Sequence, residues 1–221
     1  MTETVTLTTS PVRARTIMGK NFFGIEEVLQ HFGSKPMVPI KLMLATLASI
    51  PFSPYVLEQT RETHILVLRP PLSLVDLRNM FPDFFWRNVN GQVPIDSYID
   101  YGFAKNRGSI GWHLVRKTPV EPSGGESVDQ ARRLVHGYEQ VPPARVMMYM
   151  LFAYHLATRE YLLFGDKNVV RTANIIQSYG DICRYHLCMG NFDEKGLYAD
   201  GYGADGHADG IGFASEMKPM V

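Results

Sequence analysis

PPARVMMYMLFAYHLATREYLLFGDKNVVRTANIIQ, residues 142–177, contains the change of pattern that decides the fold class. Two prolines open it, and proline in the first turn of a helix sacrifices no hydrogen bond, so residues 143–159 read as the longest helix of the chain. Apolar residues occupy most of its circumference, the pattern of a helix covered on several sides. After Tyr161 the helical period gives way to alternation and turn residues. Strands are expected near 161–164, 169–176, 182–189, 196–202 and 211–215, with turns at GDKN, SYGD and FDEKG.

Upstream, helical spacing ends on Gly33 after residues 25–32, Pro39 and Pro51 bracket a second helix, and Ser53 with Pro54 starts a third. Residues 64–68 form an apolar run of strand length, and Ser73 with Asp76 caps a helix to about Met80. Residues 109–117 alternate as a strand, and Ser127 caps a helix through about Val135. Residues 81–94 are aromatic and broken by Pro82, Gly91 and Pro94, and no element is assigned there. Residues 1–17 hold six threonines and no aromatic side chain, so they read as a flexible tail, with a single domain over 18–221. Helices come first and short strands last. The expected fold is therefore α+β, with a helical amino-terminal half and an antiparallel carboxyl-terminal sheet packed against the long buried helix.

The chain has 221 residues, 45% of them hydrophobic, with 22 basic and 22 acidic side chains. A domain of this size buries a core large enough to fold without metal or disulfide. Zero net charge supplies no long-range field, which argues against wholesale binding to nucleic acid or anionic membrane. Cys183 and Cys188 are five apart on an expected strand and point to opposite faces, so no disulfide is expected and a reducing cytoplasm is the natural compartment. The amino terminus lacks the basic start and apolar block of a secretory signal, and the longest apolar run, 146–157, is too short to span a bilayer.

Two motifs in the carboxyl-terminal run match only on paper. Gly201, Gly203 and Gly206 fit the dinucleotide fingerprint, but too little chain follows for the helix and acidic residue that motif needs. Asp205, His207, Asp209, Gly210 and Glu216 fit a calcium-loop spacing, yet His207 offers nitrogen to a hard cation and both flanking helices are missing. Asp205, His207 and Asp209 would still share a face if extended, which leaves a metal site open. Otherwise no cofactor or metal is expected. Cys183, His186 and Cys188 lack zinc-knuckle spacing, and His155 falls at the border of the polar stripe of the long helix. No nucleophile elbow, phosphate loop or metalloprotease helix is present, so no catalytic residue can be named.

The most informative segment is AKNRGSIGWHLVRKT, residues 104–118, where Lys105, Arg107, His113, Arg116 and Lys117 surround Trp112 without an acidic residue. Cations beside an aromatic ring suit a phosphate-bearing or single-stranded nucleic-acid ligand. The leading expectation is a non-enzymatic binding or accessory protein for such an anion. An enzyme with a dispersed His/Asp site is the alternative, and a homo-oligomer is compatible with either.

MGKNFFGIEEVLQHFG, residues 18–33, and GWHLVRKTPV, residues 111–120, resemble segments of a group of bacterial hypothetical proteins with no assigned activity. The resemblance implies a bacterial, intracellular protein and carries over no site residues.

Overall fold

In the computed structural model the described residues are 7–33, 44, 46–121, 123, 126, 127, 130, 133–135, 137–162, 169–177, 184–203 and 211–219. The long helix, Ala144–Thr158, is the spine of the molecule, and residues 146–154 within it are all buried. It runs between two mixed sheets, as its all-round apolar surface requires. Asn174 Oδ1 accepts from the Ala144 amide at 2.7 Å at its start, and Arg159 ends it in the left-handed region, its amide donating to the His155 carbonyl.

Among the described residues the shorter helices α1 (Pro11–Met18), α2 (Ile25–Phe32), α3 (Pro54–Thr60) and α4 (Leu74–Met80), and a single helical turn at Gly102–Lys105, precede the spine, which is α5. Ser53 and Ser73 cap α3 and α4 as their spacing predicts, each hydroxyl accepting from the amide three residues on. The first sheet has the order β1-β2-β3-β9-β4, with β1 Phe22–Phe23, β2 His64–Arg69, β3 Gly111–Arg116, β4 Glu139–Gln140 and β9 Glu216–Met217. The second has the order β7-β6-β5-β8, with β5 Val169–Gln177, β6 Arg184–Asp193, β7 Gly196–Gly203 and β8 Ile211–Phe213.

The α+β class is what the structure shows, with the strands shared out differently. β1 and β2 stand in the amino-terminal half, β3 begins at the midpoint, and β8 runs parallel to β5. The last strands split: Ile211–Phe213 joins the second sheet, while Glu216–Met217 crosses to the first. Ala214 and Ser215, small and buried, make that crossing. Residues 161–162 lie in no strand. The helix expected between Pro39 and Pro51 and the one after Ser127 fall largely outside the described residues, although 46–48 are helical.

Residues 9–17, expected to belong to a flexible tail, are tied into the fold. Ser10 and Pro11 are an N-cap and first-turn pair, Ala14 is fully buried, and the Thr9 hydroxyl donates to the Phe52 carbonyl at 2.6 Å. The threonines conceal this start because the cap is one serine among them. Among the described residues no helix is long and apolar enough to cross a membrane.

Candidate functional site

Alternation along β3 sends its side chains to opposite faces, which divides the predicted basic cluster. Trp112 points away from α5 and is only 5% exposed, its indole Nε1 donating to the Thr46 carbonyl at 2.9 Å. Little of its ring is left exposed for a polynucleotide to stack on. Arg107 is bidentate to Asp76, Lys105 pairs with Asp100, and Lys117 Nζ donates to the Glu62 carbonyl at 3.1 Å. Arg116 Nε is buried without an acceptor on the Trp112 face. The acids that neutralise this run come from α4 and from Asp100, just upstream of it. A segment without carboxylates was therefore no guide to the local charge.

His113 faces the α5 side, and there the structure assembles a different site. Arg69 is the final residue of β2, where Pro70 and Pro71 end the strand. It is 2% exposed, and its guanidinium donates to the carbonyls of Pro70, Leu72, Arg107 and Ser109, so it is held by backbone dipoles rather than by a carboxylate. Burial, reinforced by the neighbouring Arg145 charge, pulls its pKa down to about 10, and it stays cationic at neutral pH.

Arg145 stands in the first turn of α5. Its Nε is buried with no acceptor, and no hydrogen bond is made by its guanidinium among the described residues. Burial lowers its pKa while the nearby Glu216 carboxylate opposes that shift. The two guanidinium groups close on Gly108, whose φ is +61°. A Cβ built there would lie 2.9 Å from Arg145 Nε and 2.9 Å from Arg69 Nη2, so only glycine fits.

Glu216 supplies the counter-charge. It is buried on β9; one carboxylate oxygen lies 2.7 Å from His113 Nδ1 and the other accepts from Gln140 Nε2 at 2.9 Å. A carboxylate at Nδ1 keeps the proton there and leaves Nε2 of the neutral ring as an acceptor. Two arginines, a partly exposed histidine and one carboxylate leave the group with an excess of positive charge. Such a constellation can bind an anion through Arg145, with His113 able to donate or accept beside it.

The carboxylate that balances this site escaped the sequence reading because Glu216 figured there only as the last position of a calcium template. Arg69 was the recoverable signal, a lone cation closing an otherwise apolar strand. Asp205, His207, Asp209 and Cys183 lie outside the described residues. Among the described residues no cluster of three or more His, Cys, Asp or Glu could hold a metal ion. Cys188 is buried on β6, which pushes its thiol up to about 12, well away from a reactive thiolate. His155 stacks on Tyr161 at 4.3 Å and meets Phe84 and Phe192 edge-on, a packing role at the core boundary.

On the opposite face of the first sheet, His64 and Glu139 are both buried, with His64 Nε2 3.9 Å from Glu139 Oε1, too far for a hydrogen bond. Burial, with Arg116 and Lys117 adding to it, pulls the His64 pKa down to about 4. A base whose folded pKa is depressed is neutral in the fold and protonated in the unfolded chain at intermediate pH. Stability contributed by neutral His64 is therefore complete above pH 6.5 and falls as pH drops from 6.5 to about 4. The expected loss is about 3 kcal/mol across that window. Urea melts at a series of pH values measure it, and His64→Gln should flatten the profile.

No family model matches the chain, nor does any curated protein or solved structure.

Proposed function

We propose that the protein is a non-enzymatic binding or accessory protein for a small anion, a phosphate- or carboxylate-bearing ligand held by Arg145 with His113 beside it. The observation that carries this reading is the Arg145 guanidinium, inserted beside Arg69 without a hydrogen-bond acceptor of its own. A half-buried guanidinium beside a second cation, with only the Glu216 carboxylate near both, gains from an anion that completes the group. Nucleic acid is less well supported than a small anion, because Lys105 and Arg107 are paired to acids. A bacterial, intracellular setting belongs to the same proposal.

The test is calorimetric titration with inorganic phosphate at low salt. Arg145→Gln is expected to weaken binding by about tenfold or more, the loss of one charge-assisted hydrogen-bonding group. Absence of heat at millimolar phosphate, or equal affinity in the variant, would remove the proposal.

A second reading, an enzyme, rests on the 2.7 Å His113–Glu216 contact, which is how a carboxylate orients an imidazole for proton transfer. Release of p-nitrophenol from p-nitrophenyl phosphate by the wild type and not by His113→Gln would favour it.

A further inference from the structure

A cavity of about 430 Å³ opens on the other side of the first sheet, between α1, the start of α2 and β3. Its floor is Trp112 and Phe22, whose rings lie 5.5 Å apart, and Ile25 and Leu47 form its walls. The volume falls within the roughly 300–1,000 Å³ range of small-molecule sites, and an apolar floor with few polar groups is their usual composition. Gly24 helps to shape it: a Cβ there would come 2.7 Å from Phe22 Cε1, so the ring approaches the backbone this closely only because the side chain is missing.

Charge at the rim selects the ligand. Arg15 Nη1 and Nη2 donate to both oxygens of Glu27, while Glu27 also accepts from the Gly24 amide. The same Arg15 Nη2 reaches Glu26 at 2.9 Å, and its guanidinium lies 4.6 Å above the Phe22 ring. Arg15 is thus fully paired by Glu27 alone. Glu26, with its side chain 77% exposed, is a second carboxylate on one cation and can turn to another partner without stranding the arginine.

We infer that this cavity binds a small aromatic amine, its ring against Trp112 and Phe22 and its ammonium on Glu26. The aromatic lining favours a flat apolar group, and the surplus carboxylate favours a cation over an anion. This site shares no side chain with the Arg145 group and stands whether or not that group binds phosphate.

The chain contains two tryptophans, so the indole Nε1–H resonance of Trp112 is assigned by its survival in Trp86→Phe. Three naphthyl probes of different charge would be titrated against the full chain: 2-(1-naphthyl)ethylamine, 2-(1-naphthyl)ethanol and 1-naphthaleneacetate. The amine is expected to shift the Trp112 resonance and to bind about tenfold more tightly than the acetate, as one charge-assisted contact implies. Glu26→Gln, a surface change that leaves the Arg15–Glu27 pair intact, should bring the amine to the affinity of the alcohol. The inference is overturned if no probe moves Trp112, if the acetate equals or exceeds the amine, or if Glu26→Gln preserves the preference.

Discussion

Phe152→Ala is expected to lower the free energy of unfolding by about 3–5 kcal/mol, the range for truncating a buried aromatic side chain. Phe152 is fully buried at the middle of α5, and its ring lies 5.7 Å from Phe81, 5.2 Å from Phe84, 5.5 Å from Phe85 and 5.5 Å from Phe192. These neighbours come from the segment after α4 and from β6, which are anchored independently. They cannot collapse together into the space left behind, so the cavity term is retained in full. Leu151→Ala, also buried in α5, should cost about 2–5 kcal/mol. Urea denaturation reads both, and an unchanged m-value would show that the unfolded state is not the source of the loss. Val89→Ala, at a fully exposed position, is the control and should stay within about 0.5 kcal/mol. A loss below about 1 kcal/mol for Phe152→Ala would mean that this aromatic cluster is not a packed core.

The α5 core was legible because local rules and tertiary packing agree there: prolines at its start, an all-round apolar surface, and sheets on both sides to cover it. The Phe81–Trp86 stretch was not legible, although it contributes four of the aromatic residues packed around α5 and β7. Its shape follows from contacts made more than 60 residues away in sequence, with Phe152, Phe192 and Leu197, and no local period encodes those. The candidate site shows the same division. His113 was singled out because it lies in a run of cations, whereas Arg69, Arg145 and Glu216 are brought together only by strand order and by the crossing at Ala214 and Ser215. Sequence spacing reports which residues share a face of one element. It carries little information about which elements become neighbours, and a site built from three strands, a loop and a helix start depends on the latter.

Gly196→Ala is the substitution in which that long-range dependence should be measurable at a single atom. Asp193 and Gly196 close the β6–β7 hairpin, with Asp193 Oδ1 accepting from the Lys195 amide at 2.7 Å. Gly196 has a φ of +102°, a conformation that L side chains rarely adopt, and an added Cβ would lie 2.5 Å from the Phe85 carbonyl carbon and 2.6 Å from the Trp86 nitrogen. Both obstacles are backbone, so no rotamer change relieves them. The Trp86 amide donates to the Leu197 carbonyl at 3.0 Å, and Phe85 forms a parallel bridge with Leu197. Accommodating alanine means breaking this junction and drawing Phe85 away from Phe152. Strain and lost packing together should cost about 3 kcal/mol or more. Gly102→Ala, at an ordinary φ with no atom within 4 Å of the new methyl group, should be neutral or stabilising by up to about 1 kcal/mol. Because Gly196→Ala already withdraws Phe85 from Phe152, the double variant with Phe152→Ala should lose less than the sum of the two single losses, with a coupling of about 0.5–3 kcal/mol. Strict additivity would show that the hairpin and the core aromatic cluster are energetically independent, contrary to the contact through Phe85.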